Sequence, residues 1–361
     1  MRPIPLGLAA ILMSIGAPAL AVSAIAVAPG GRLSVDLSIG GSIDVRGTDG
    51  DKLTYEVLGD EIDVVVDRSG NQIRLAADRR HPFERRGRVE LKIRVPRRFD
   101  LDLHTTGGGM TISGVEGKIE GETLGGDLVL SNLRGELQLT TLGGDIELTD
   151  SNVDGKLTTY GGRVRFSRVE GDIDASSLGG DVIFDDVRGS GQEVRISTMG
   201  GNIDVPDAPH GADLQTMGGH IEVERAQDHV NAKTMGGNIR IGEVDGWVRA
   251  TTIGGNVDVH VSGFTGSDRD IALSTHAGNI TLTLPANAGV HIDATVTFTK
   301  RSRQNYRIDS DYPLQIRQTE DWTFGAGEPT KFVYGTGEVG GGKHRVKLEA
   351  VNGDITIRRR P

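Results

Sequence analysis

The sequence contains no cysteine. That excludes a disulfide framework, thiolate metal sites, a cysteine nucleophile and a membrane anchor built on a lipidated cysteine. Aromatic residues make up only 4% of the chain, so stacked aromatic platforms have little to draw on. Positive charge is in deficit as well. Against 50 Asp and Glu stand 40 Lys and Arg, a formal charge of −10, which argues against nucleic-acid binding through net charge. Beyond the N-terminus no apolar run approaches the roughly 18 residues that a membrane-spanning helix needs. No window sustains a 3.6-residue apolar period, and glycine recurs too often for helix interiors. Glycine is what the chain has in excess: 53 of 361 residues, about twice the ~7% of ordinary globular proteins.

The segment from Met1 to Ala21 reads as a secretory leader. Arg2 precedes the apolar run Ile4 to Ile15, and the small residues Ala19-Leu20-Ala21 come next, in the order of an A-x-A cleavage site. Cleavage is expected after Ala21, with Ala24 or Ala26 as alternatives, and an uncleaved anchor is the competing reading. Loss of Arg2 with the leader takes the formal charge from −10 to −11. The expected product is exported, to the periplasm or the cell surface, with no transmembrane segment in the mature chain.

A repeat dominates the chain from Gly107 onward. Glycine pairs begin at Gly107, Gly125, Gly143, Gly161, Gly179, Gly200, Gly218, Gly236 and Gly254, with an 18-residue spacing except for one longer step between Gly179 and Gly200. A weaker copy lies at Ala277-Gly278-Asn279-Ile280. Counting the first glycine as zero, position 3 is always apolar (Met110, Leu128, Ile146 through Val257), and so is position 5 (Ile112, Leu130, Leu148 through Val259). Position 4 between them is often charged. Such alternation marks a strand with one buried face. Most units carry a second short strand, often after a glycine such as Gly117, Gly135, Gly171, Gly189 or Gly246. Two strands cannot bury their own apolar face, so the units must stack. The expected fold is all-β, a parallel β-solenoid of about 18-residue rungs. Ten rungs at ~4.8 Å would make a rod of about 48 Å. Its glycines are expected to supply positive-φ corners, and Glu222, Arg240 and Asp258 an outward ladder of alternating charge.

The flanks lack the period. Residues 22–100 read as an N-terminal β cap, 101–284 as the solenoid, and 285–361 as a C-terminal β cap ending in one last rung at Val351 to Ile357. Caps are expected because terminal rungs would otherwise expose unpaired edges.

Candidate chemistry is sparse. The column Asp127, Asp145, Asp181, Asn202, Asn238, Asn256, Asn279 could offer oxygen ligands to Ca²⁺. Arg163 and His220 interrupt it, however, and side-chain to backbone bonding in turns is the simpler role. No metal or other cofactor is expected. The Thr/Ser column from Thr123 to Thr275 could form an ice-binding face, or hydroxyls that bond one another or the backbone at a corner. Nine Lys and Arg between Arg79 and Arg98, among them Arg85, Arg86 and Arg88, could meet anionic polysaccharide or lipid headgroups, or simply be a solvated face. The Arg358-Arg359-Arg360 tail reads as a free, solubilising end. Gly335 to Gly340 matches G-x-G-x-x-G, but no helix follows to receive a phosphate. Gly337 to Lys343 has P-loop spacing with His344 where Ser or Thr is required. Asn279-Ile280-Thr281 is a formal glycosylation sequon inside the rung pattern. There is no G-x-S-x-G elbow and no H-E-x-x-H. A polysaccharide-cleaving β-helix would need longer rungs and a cleft holding paired acids, which Asp185-Asp186 alone do not make. No catalytic residues are assigned.

The [Leu/Met/Ile]-Gly-Gly-[Asp/Asn]-Ile-x-[Val/Leu] units resemble the bacterial putative-adhesin β-solenoid family, a domain family of unknown function. So do the Pro96 entry segment with Leu101 to Thr106 and the closing Asn352-Gly353-Asp354-Ile355-Thr356-Ile357. The resemblance implies an exported or envelope-exposed protein without assigned catalysis. Two functional readings are open. One is a non-catalytic binding module for an envelope polysaccharide or surface protein, in which repetition supplies avidity and Trp247 and Trp322 are candidate contacts beside the arginines. The other is a periplasmic structural scaffold linked to envelope stress.

Overall fold

The computed structural model describes residues 23–59, 62–79, 89–188, 193–264, 270–302, 304–324 and 327–360. The expected leader and Arg85, Arg86 and Arg88 lie outside the described residues. Among those described, every element except a 3₁₀ turn at Lys300–Ser302 is a β-strand, and thirty strands join one hydrogen-bonded sheet. The protein is all-β, as the alternation predicts.

Through the repeat region each strand pairs in parallel with the equivalent strand of the next repeat. Glu116–Thr123 lies along Arg134–Thr141, with Glu116 against Arg134 and Thr123 against Thr141. Ile221–Lys233 lies along Ile239–Thr252, from Ile221↔Ile239 to Lys233↔Thr251. Stacking in this register makes each sequence column a file of touching side chains. Positions 3 and 5 form one buried file pair, with Phe166 and Phe184 packed edge to face at 4.6 Å. A second buried file runs from Leu33 through Leu101, Ile119 and Leu137 to Val248, Ile271 and Val346. Removing these files from water is the dominant favourable term. At position 4, Glu222, Arg240 and Asp258 are neighbours as expected, and Glu222 meets Arg240 at 3.6 Å.

Three columns at the corners explain the glycine and hydroxyl content. The expected positive-φ corners fall to the turn glycines and not to the glycine pairs: none of the paired residues in the nine repeats has a left-handed φ. Close approach explains the second glycine instead. A Cβ on Gly144, Gly162 or Gly219 would lie 1.8–2.1 Å from the carbonyl oxygen of the equivalent glycine one repeat earlier. Left-handed corners do occur, at Gly117, Gly135, Gly171 and Gly246 and at the non-glycine residues Asn132, Asp150, Arg168 and Asp228.

The Thr/Ser column is buried from Thr105 to Thr275, so it cannot be an ice-binding face. Each hydroxyl is a staple between repeats. Thr141 Oγ1 donates to the Gly126 carbonyl at 2.8 Å and accepts from the Gly144 N–H at 3.2 Å.

The Asp/Asn column also links repeats rather than closing local turns. Asp127 accepts the N–H of Asp145 at 2.8 Å, Asp145 that of Arg163, and Asn202 that of His220. His220 does not interrupt the chain of bonds, because its Nδ1 accepts from the Asn238 N–H at 2.8 Å. Asn279 of the sequon accepts the Asp354 N–H at 2.9 Å in the same manner.

Both flanks dock on this stack. Gly31–Leu37 and Ser42–Thr48 lie in parallel on Phe99–Thr105 and Met110–Ser113, with Ile39-Gly40-Gly41 at the corner between them. Between those layers the chain runs through antiparallel pairs such as Ile62–Ser69 with Gln72–Arg79. At the other end Ile355–Arg359 returns to pair in parallel with Ile280–Leu284. The aromatic-rich segment in between forms antiparallel pairs, chiefly Val290–Thr299 with Thr330–Val339.

Candidate functional site

One interruption of the buried second file opens a groove. Where the register places Leu137, a residue of the next repeat and then Ile173 in line, that middle residue is Gly155. Its φ of 138° and a Cβ position only 2.0 Å from the Leu137 carbonyl exclude any side chain. The second file therefore lacks one side chain there, while Leu148 and Leu157 of the same repeat stay fully buried. Ile173 and Val194 are 8% exposed, whereas Ile119, Ala212, Val230 and Val248 in the same file are fully buried. The groove over this gap measures roughly 440 Å³. The nearly buried Leu137 and Ile173 lie beneath it, and Lys118, Glu136, Lys156, Asp174, Glu193 and Arg195 form its rim.

At both ends of the rim charges are paired. Lys118 Nζ meets Glu120 at 2.8 Å, which raises the lysine, and its hydrogen bond is the main cause holding Glu120 below its ordinary value. Burial alone would raise Glu193. Hydrogen bonds from Arg195 at 2.9 Å and from His229 outweigh that and hold Glu193 below the usual carboxylate range.

His229 reaches Glu193 because of a second glycine. The imidazole Nε2 lies 2.7 Å from Glu193 Oε2, two repeats away. The repeat between them contributes Gly211, whose Cβ would lie 2.3 Å from the ring. Trp247 stacks on the other side of His229, at 4.7 Å with the planes 7° apart. Arg195, Glu193, His229 and Trp247 thus form one row at the end of the groove. The candidate Trp247 is half-buried, with one face taken by histidine.

The other sequence candidates lie elsewhere. Trp322 is half-buried against Phe298 at 5.9 Å, with Lys331 Nζ 5.1 Å from its ring centre. Of the basic cluster's described members, Lys92, Arg97 and Arg98 pair with Glu90, Asp49 and Glu116. The C-terminal arginines are not a free end. Arg358 meets Asp309 at 2.8 Å, Arg359 lies over the Tyr312 ring, and Arg360 meets Glu243 at 2.8 Å. The P-loop-like Gly337 lies within the strand Thr330–Val339, and His344 stacks on Phe264. Among the described residues no group of three or more His, Asp or Glu is placed to hold a metal ion, and no helix is long and apolar enough to cross a membrane.

Sequence reasoning missed the groove because a lone glycine carries no signal until its register is known. It also missed a file of exposed apolar residues. Leu124, Leu142, Tyr160, Leu178, Met199, Met217, Met235 and Ile253, each just before a glycine pair, stand 39–49% exposed.

A family model described as Toastrack DUF4097 matches residues 32–261. The chain belongs to the Toastrack DUF4097 family. The matched span takes in the N-terminal layers and the repeats through Val261, so the groove and the apolar file both lie in the Toastrack region. Among solved structures, this Toastrack chain is similar to a putative cell adhesion protein from Clostridium sporogenes at 9% identity, covering 95% of this chain and 100% of that one, with a TM-score of 0.20. It is similar to a putative adhesin from Bacteroides fragilis at 13% identity, covering 95% and 98%, with a TM-score of 0.19. It is also similar to a putative lipid binding protein from Parabacteroides distasonis at 12% identity, covering 73% and 96%, with a TM-score of 0.27. No curated protein matches it.

Proposed function

We propose that this chain is an exported, non-catalytic binding module of the cell envelope, which takes a polyhydroxyl polymer along the face carrying the Gly155 groove. The observation that carries this reading is the groove itself: a concavity over the missing side chain at Gly155, within a rim of both charge signs. A sugar presents a row of hydroxyls, and a concave site with convergent charged and polar groups of both signs offers them donors and acceptors. The rim carboxylate Glu193 is bonded to Arg195 and His229, which suits hydrogen bonding to hydroxyls better than general acid catalysis. The 18-residue registers support reading the repeats as one parallel solenoid over 101–284 with β caps on either side, and a rod of that kind offers its ligand many contacts in register.

Two measurements test the reading. Protease shaving of intact cells beside fractionation should degrade the chain, or should do so once the outer membrane is opened; retention in the cytoplasm would refute export. Binding of the full chain to isolated envelope polysaccharide should weaken at least tenfold in Lys156→Glu and Arg195→Glu. Unchanged binding would remove the groove from recognition.

A second reading, a periplasmic scaffold, is favoured by one observation, the exposed apolar file described above.

A further inference from the structure

In six of the eight repeats from Gly125 to Gly254, the fold requires only one glycine of the pair. The second glycine is forced by backbone contact. The first is not: its φ is not left-handed, and a Cβ would meet nothing within 4 Å at Gly125 and ordinary contacts of 3.4–3.8 Å at Gly143, Gly161, Gly218, Gly236 and Gly254, with closer approaches of 3.1 and 3.3 Å only at Gly179 and Gly200. Yet it is glycine in all eight repeats, exposed in all eight, and adjacent to the exposed apolar residue in all eight. A column kept bare without need from its own backbone lets another surface approach closely.

The apolar file beside it is continuous. Leu142 N–H donates to the Thr123 carbonyl and Tyr160 N–H to that of Thr141, and Met217 N–H donates directly to the Met199 carbonyl. Eight members at the strand spacing of ~4.8 Å span about 34 Å. With their glycines they present on the order of 700 Å², above the ~300–600 Å² of the largest apolar patch on an ordinary monomer. That is close to the ~800 Å² each partner gives to a standard interface.

We propose that this stripe is the interface between two copies of the chain, packed antiparallel about a two-fold axis between the fourth and fifth members. The pattern is self-complementary in that orientation. Leu178 meets Met199 of the partner subunit, Tyr160 meets the partner's Met217, Leu142 the partner's Met235, and Leu124 the partner's Ile253. The branched and aromatic half packs on the flexible thioether half, and methionine sulfur favours aromatic contact. The flanking charges agree. On one side Asp127, Asp145 and Asp181 come opposite Asn256, Asn238 and Asn202, and Arg163 opposite His220, so no carboxylate faces a carboxylate. On the other, Glu122 comes opposite Thr251 and Lys233 opposite Thr140. A parallel pairing would instead set Asp127 against Glu122 in both halves, at a cost in like-charge repulsion. The closed two-fold arrangement also buries the stripe without leaving it free to propagate.

The absence of cysteine makes the orientation directly testable in the full chain. Sedimentation velocity should give a dimer, and Met217→Glu, at an exposed position, should raise its dissociation constant at least tenfold with the circular dichroism spectrum unchanged. On mild oxidation, a mixture of Leu124→Cys and Ile253→Cys chains should form the mixed disulfide, and Leu124→Cys alone should not. A monomer at 100 µM (about 10⁻⁴ M, ~5 kcal/mol of association), a dimer insensitive to Met217→Glu, or self-crosslinking of Leu124→Cys would each overturn the proposal. So would a monomer whose stripe captures phospholipid vesicles, which would make the occupant a lipid surface. None of these readouts involves polysaccharide, so groove and stripe stand or fall separately.

Discussion

The hydroxyl of Thr159 donates a 2.7 Å hydrogen bond to the carbonyl of Gly144, 15 residues earlier in the preceding repeat. The same oxygen accepts the Gly162 N–H at 3.1 Å. One buried group thus satisfies a carbonyl and an amide at a corner where no water can reach them. Thr159→Val keeps the shape and leaves both unpaired, which should cost about 1–3 kcal/mol. Thr159→Ser should cost less than half of that, since Ser177 makes the equivalent pair of bonds. Denaturant midpoints of the three proteins decide the matter; equal values for Val and Thr would show that the hydroxyl contributes nothing.

The two glycines of a pair should respond differently. A Cβ on Gly162 would sit 2.0 Å from the Gly144 oxygen, while one on Gly161 would meet nothing closer than 3.5 Å. Gly162→Ala is expected to lose about 3 kcal/mol or more through backbone displacement. Gly161→Ala should be neutral, or gain up to ~1 kcal/mol by restricting the unfolded chain. Thermal unfolding of the pair measures the contrast directly.

Arg163 is the weak link of the Asp/Asn column. Arginine has no acceptor, so it cannot take the Asp181 N–H in the way that Asp145 takes that of Arg163 itself. Its ion pair with Asp145 at 3.3 Å is exposed and contributes little. Arg163→Asn should therefore stabilise by about 1 kcal/mol, read as a raised melting temperature, and Arg163→Ala should not.

Two carboxylates give opposite pH signatures. Burial, then repulsion from Glu222, Glu224 and Asp185, raises Asp204. The native state therefore holds its proton more tightly, and stability falls as pH rises through the ordinary carboxylate range to the raised value. Asp204→Asn should be more stable than the parent at pH 7, with the gap closing in acid. Glu193 is depressed, so its contribution is present above the ordinary range and lost as pH falls through the depressed value. Glu193→Gln should be less stable at pH 7 and match the parent in strong acid. Chemical denaturation at several pH values separates the two; parallel curves for either mutant would contradict its assigned cause.

Much of the fold is legible in the columns. Alternation at positions 3 to 5 identifies the buried strand face, and the 18-residue spacing matches the register found between Leu128 and Ile146. The Ile39-Gly40-Gly41 corner was harder to see, because the next glycine pair comes only at Gly107, while its strands still lie directly on Leu101 and Met110. The groove and the stripe were not legible at all. Gly155 looks like any of 53 glycines until pairing sets it between Leu137 and Ile173. The residue before each glycine pair looks like a core position, since apolarity is the same on either face.

By itself, the sequence determined that the chain is all-β and built of stacked repeats, because periodicity of two within a strand and of 18 between strands is written in residue type. Only the tertiary structure decided which way each column faces. It turned the threonines inward as staples, the Leu/Met/Ile file outward, and His229 across Gly211 to Glu193. The physical reason is that a corner reverses the alternation of faces. Inward and outward after a turn depend on backbone dihedrals and on contacts a full repeat away, which no local pattern records.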